Sequence, residues 1–169
     1  MKKRLDTKDI VLTGLGIAVV FVATLYIKIP NAIDGYFNLG DGFILIFSSI
    51  LDPFLAFLVG GLGSALADVA GGYAYYFIPT LLIKGLEAII VSVLMKKFGK
   101  KAQIPAYILG ACIMVFGYFL AKWYLKQSMA IALTGIPENI FQSGVGIVIA
   151  FICYPIISRI YLKNKAQSY

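Results

Sequence analysis

Leu94-Met95-Lys96-Lys97-Phe98-Gly99-Lys100-Lys101 is the stretch on which the fold turns. It sets four lysines into an otherwise apolar region. Two clusters like it stand at the ends of the chain: Lys2, Lys3, Arg4 and Lys8, then Arg159, Lys163 and Lys165. Together the three hold 11 of the 15 Lys and Arg residues. Lys and Arg are retained on the cytoplasmic side of membrane helices. All three clusters are therefore expected on one side, and that condition limits how many spans separate them.

The rest of the composition demands a membrane. Hydrophobic residues make up 60% and charged residues 14% of the 169, with a mean hydropathy of +0.89. These values exclude an ordinary soluble domain. A spanning helix needs about 20 apolar residues, so the chain has room for roughly six. The net charge of +7 could suggest nucleic acid. Because the basic residues flank apolar runs, anchoring to an anionic inner leaflet is the better account, and no nucleic-acid partner is expected. The basic start and the apolar run to Ile27 resemble a signal peptide, but no convincing small-x-small cleavage site follows. The run reads as a retained first helix.

Walking outward from Lys96 gives an all-α integral membrane protein in one domain, residues 1–169. Six helices are expected, over about 10–29, 40–51, 53–70, 75–97, 104–126 and 137–161. Pro30 stops the first, and Pro137 suits the start of the last. The region from Gly42 to Gly72 reads either as one kinked helix or as two spans broken at Asp52-Pro53. With the N-terminus inside, a single span would leave Lys96–Lys101 outside. Two spans return it to the cytoplasm, so both termini are cytoplasmic. The second helix is short for a bilayer.

With that topology, most remaining polar residues share the outer half of the molecule. Asn31, Asp34, Asn38 and Asp41 fall in the first outer loop, and Asp68 at the outer end of the third helix. Lys122, Lys126, Glu138, Asn139 and Gln142 lie at the outer ends of the last two helices. Helices from different parts of the chain thus present polar groups at one depth, as a pocket open to the exterior requires. Lys84 and Glu87 sit mid-helix, where a charge costs about 2.5–3.5 kcal/mol on insertion scales. Three residues apart, they can pair on one face. Either they form a self-neutralising structural pair, or Lys84 donates to a ligand that Glu87 orients. Asn139, Gln142, Ser143 and Gly146 form one stripe. Its amides can donate and accept, which suits a neutral heterocycle; interhelical bonding is the alternative. Tyr118 and Trp123 are candidate ring contacts among aromatics that an interfacial belt also explains. Tyr36 and Phe37, between Gly35 and Gly40, suit a lid.

Gly14-x-x-x-Ala18 in the first helix and Gly61 in the glycine-rich third helix suit either internal packing or docking of a second membrane subunit. No catalytic constellation emerges. Histidine is absent, Cys112 and Cys153 fit no metal spacing, and Gly60-Gly61-Leu62-Gly63-Ser64 lacks the lysine of a phosphate-binding loop. Neither an enzymatic centre nor a cofactor or metal site is expected.

The order of these motifs resembles a known family. Tyr36-Phe37-Asn38-Leu39-Gly40-Asp41, Asp52-Pro53, the glycine-rich helix ending at Asp68, Ile83-Lys84-Gly85-Leu86-Glu87 and Ile136-Pro137-Glu138-Asn139-Ile140-Phe141-Gln142 together resemble the substrate-binding S components of energy-coupling factor (ECF) vitamin transporters. They look most like the hydroxymethylpyrimidine or pyridoxine branch. The resemblance implies capture of a vitamin from outside the cell. It implies docking through the first three helices onto a membrane T component, and two partner ATPases that hydrolyse ATP. Where the family has Ala-x-x-x-Ala in its first helix, this chain has Gly14-x-x-x-Ala18. For such a binding subunit the polar ligand contacts expected from this sequence are Lys84, Asn139 and Gln142, with Asn38 and Asp41 from the lid.

Overall fold

The computed structural model describes residues 7–30 and 36–166. The first helix, α1, covers Thr7–Tyr26. It ends short of Pro30, where the sequence reading ran it on to residue 29. Lys28–Pro30 (β1) instead pairs antiparallel with Tyr36–Asn38 (β2), in the register Lys28 to Asn38. Proline cannot donate to a helix and fits the end of a short strand. Asn31, Asp34 and Gly35, assigned to the first outer loop, lie outside the described residues.

Helix α2 (Gly40–Ser48) follows at once, so Asp41 belongs to its first turn and not to the lid. Nearly every residue of α2 is buried. A short helix that is apolar all round must sit at the centre of the bundle. One side joins Val20, Leu55, Val59 and Ala88 through Ile44 and Phe47. The other joins Val91, Met95, Tyr107 and Ala150 through Leu45 and Ile46.

Helix α3 (Pro53–Ala70) begins with proline after an extended Asp52, where a missing N–H costs nothing. Its middle, Leu58–Leu62, widens into a π turn. Beyond a 3-10 turn at Ala74–Tyr76 come α4 (Phe77–Phe98), a second 3-10 turn at Gly99–Ala102, α5 (Gln103–Lys126) and α6 (Met129–Ala166).

Helix α6 starts eight residues before Pro137, where the sequence reading placed its beginning. Gln127 closes α5 in the left-handed conformation. Ser128 then caps α6, its hydroxyl accepting from the Ile131 N–H at 3.4 Å. Pro137 and Pro155 lie inside the helix, as membrane helices tolerate when neighbours satisfy the freed backbone.

Four helical stretches are long and apolar enough to cross a membrane: Thr7–Tyr26, Pro53–Ala70, Ala74–Lys126 and Met129–Arg159. The third contains both α4 and α5. At one end of the bundle the Tyr161 hydroxyl donates to Asp9 at 2.8 Å, tying the end of α6 to the start of α1. Lys96 of the middle cluster ion-pairs with Asp52 at the α2–α3 turn.

Candidate functional site

Away from the basic clusters, the C-terminal ends of α1, α3 and α5 meet the N-terminal halves of α4 and α6 around a cavity of about 80 Å³. Thr24 of α1 and Ser64 and Asp68 of α3 line one part of it. Thr80 and Lys84 of α4 and Tyr118 and Lys122 of α5 line another. Gly135, Glu138, Asn139 and Gln142 of α6 line a third, with Asn38 of β2 and Tyr73 and Tyr76 before α4.

Its floor is a buried charge network. Lys84 Nζ donates to Asp41 Oδ1 and lies 3.4 Å from Glu87 Oε2. Gln142 Nε2 donates to Asp41 Oδ2 at 3.0 Å. The Gln142 carbonyl in turn accepts from the Asn38 backbone N–H at 3.0 Å and from Asn38 Nδ2 at 3.2 Å. Asn38 Oδ1 accepts from the Gly40 N–H at 2.9 Å, closing the start of α2. All five side chains are nearly inaccessible. Charges buried in this way persist only when paired and hydrogen-bonded.

Backbone proximity sets this geometry. A side chain at Gly60 would come within 2.7 Å of the Lys84 carbonyl oxygen, so the glycine lets α3 press on α4 at that lysine. At Gly146 a side chain would meet Asp41 Cβ at 2.9 Å, so α6 lies directly against the first turn of α2.

The sequence-derived site residues divide accordingly. Asn38, Lys84, Tyr118, Asn139 and Gln142 line the cavity. Asp41 and Glu87 stand behind it, holding Lys84. The Tyr118 hydroxyl donates to Thr80 Oγ1 at 3.0 Å, and its ring lies 5.6 Å from Lys84 Nζ. Trp123 is not at the cavity. It is 46% exposed and stacks on Phe119 at 6.2 Å, because position 123 faces out of the bundle while Lys122 faces in. Ser143 turns back to the Asn139 carbonyl at 2.8 Å, so the α6 stripe reaches the cavity only through Asn139 and Gln142. Phe37 of β2, expected in a lid, packs on Phe141, with ring centroids 5.5 Å apart.

The three candidate docking positions separate too. Gly14 and Ala18 are on the exposed face of α1. Gly61 is buried, and a side chain there would meet the Leu81 carbonyl oxygen at 2.8 Å. It serves the α3–α4 contact and is closed to a partner.

Sequence reasoning did not select Thr24, Ser64, Thr80, Tyr73, Tyr76 or Lys122 for the site. Small hydroxyls inside apolar helices are too common to single out. Among the described residues no group of three metal-ligating side chains is found.

Apolar spans around a partly polar cavity define a helical membrane protein with room for a small solute. The family profile described as ECF-type riboflavin transporter, S component, matches residues 4–159. The chain belongs to this family of ECF transporter S components, and it is a transport protein rather than an enzyme. It is 36% identical over 132 residues (77% of this chain, 88% of the relative) to a Pyrococcus woesei protein described as an uncharacterized protein in gap 3'region. It is 26% identical over 167 residues, 96% of each chain, to the thiamine precursor transporter HmpT of Lactococcus lactis subsp. cremoris.

Proposed function

We propose that this chain is the high-affinity binding subunit of an ECF importer and captures a small single-ring vitamin or precursor, pyridoxine or hydroxymethylpyrimidine, from outside the cell. Six membrane spans with both termini cytoplasmic would place the cavity at the outer face of the cell membrane. A T component would dock on the exposed Gly14–Ala18 face of α1, and two cytoplasmic ATPases would supply the energy.

The size of the cavity carries the substrate reading. A water molecule needs about 10–15 Å³ of such space, so about 80 Å³ holds roughly six waters. That is the scale of one substituted ring; a three-ring flavin with its sugar-alcohol tail would have to widen the cavity or project from its open side. Beside its charged groups the lining carries amides and hydroxyls (Asn38, Asn139 and Gln142; Thr24, Ser64 and Thr80), which suits a polar ring with donors and acceptors. The end-to-end similarity to a thiamine precursor transporter supports the same reading. A riboflavin cargo is the second reading, favoured by the description of the matching family.

Calorimetric titration of the purified protein separates them. Pyridoxine, hydroxymethylpyrimidine, thiamine, pantothenate and riboflavin would be tested in turn. Tight binding of a single-ring compound is the expected result. Tight binding of riboflavin alone would replace this proposal with the second reading, and folded protein that binds none of the five would remove both. Trp123 lies off the cavity, so calorimetry is preferred to its fluorescence.

A further inference from the structure

We infer that Lys122, Thr24 and Ser64 make the decisive polar contacts to the ligand, while the Asp41–Lys84–Glu87–Gln142 network is the scaffold that shapes the cavity. This inference rests on the reading of the chain as a small-solute binding subunit. It reverses the weighting that the sequence suggests, and the reason is hydrogen-bonding capacity.

The scaffold residues are already occupied. Lys84 holds two carboxylates. Both oxygens of Asp41 are taken, by Lys84 and Gln142. Gln142 and Asn38 use their amides on each other, on Asp41 and on Gly40. A ligand approaching these groups must displace bonds in order to make its own.

Three other cavity residues are in the opposite condition. Thr24 and Ser64 are 3% and 2% exposed, and neither hydroxyl has a hydrogen-bond partner among the described residues. Lys122 is 7% exposed and has no ion-pair or hydrogen-bond partner among the described residues. Buried polar groups are nearly always satisfied, so orphans that line a cavity point to a partner that enters it. A buried hydroxyl or ammonium gains a full hydrogen bond from a ligand and gives up little.

Their chemistry restricts that ligand. A lysine only donates, so the ligand must turn an acceptor, an oxygen or a ring-nitrogen lone pair, toward Lys122. Hydroxyls donate or accept, so the edge facing Thr24 and Ser64 can carry an amino or a hydroxymethyl group. Lys122 comes from α5, whereas Thr24 and Ser64 come from α1 and α3, which pack against each other. A ring compound with polar substituents on two edges would bridge these walls.

The test uses the full chain and whichever compound of the five the wild type binds. Affinity is measured by calorimetry and folding by thermal unfolding for Lys122→Met, Ser64→Ala, Thr24→Ala and Thr24→Ser. Loss of a hydrogen bond to a charged donor should weaken binding by about tenfold or more in Lys122→Met. Ser64→Ala and Thr24→Ala should each lose roughly threefold to tenfold, and Thr24→Ser should bind as wild type. If Lys122→Met does not fold, the two alanine variants decide the matter. Folded variants that all bind as wild type would overturn the inference while leaving the proposed function intact. A wild type that binds nothing in the panel overturns both.

Discussion

Asp41 shows what a single residue can hide. In sequence it closes a loop motif and lies 43 positions from Lys84. In the fold it is the principal counter-charge of that lysine. The i, i+3 spacing of Lys84 and Glu87 was legible as a pair, and the pair exists at 3.4 Å. The third charge was not legible, because no local pattern relates the first turn of α2 to the middle of α4. Removing Lys84 leaves two carboxylates buried together. Lys84→Met should therefore destabilise the protein by about 3–5 kcal/mol, read as a loss of folded protein or a lower unfolding temperature in detergent. A stability equal to wild type would mean that the network carries no net load. For the same reason, loss of ligand binding in Lys84→Met could not by itself assign Lys84 to the ligand.

Among the elements, α3 shows how composition becomes geometry. Gly60 and Gly61 occupy the π turn at Leu58–Leu62 and face carbonyl oxygens of α4. The sequence marks them as small residues suited to close packing. It does not say whether the neighbour is another helix of the chain or a separate subunit. The fold answers for Gly61, which is buried against Leu81. Overpacking such a contact typically costs about 1–3 kcal/mol. Gly60→Ala should lower the unfolding temperature and, by displacing Lys84, weaken ligand binding as well. An unchanged melting curve would show that α3 and α4 can separate freely. The start of α6 carries a similar lesson. Pro137 drew the reading because proline favours first turns, yet the weaker signal, Ser128, caps the helix.

Over the whole molecule, the proposed docking face and the cavity lie on different sides of α1. Ala18 is exposed, while Thr24 is buried and lines the cavity. Ala18→Leu should therefore leave ligand affinity unchanged within about twofold, because surface substitutions away from the site alter little. It should reduce co-purification with the T component and transport by the assembled complex. Full uptake by this variant would move the docking face elsewhere. Two properties followed from sequence alone: the membrane as solvent, and the gathering of polar residues toward one end. Both are sums over many residues, since hydropathy and charge asymmetry survive any error in a single helix boundary. The tertiary structure decided which polar groups bond to one another and which are left for a ligand. It also decided which glycines face inward and where α1 and α6 begin and end. Those outcomes depend on contacts between residues tens of positions apart, where a displacement of an ångström separates a satisfied amide from an orphaned hydroxyl.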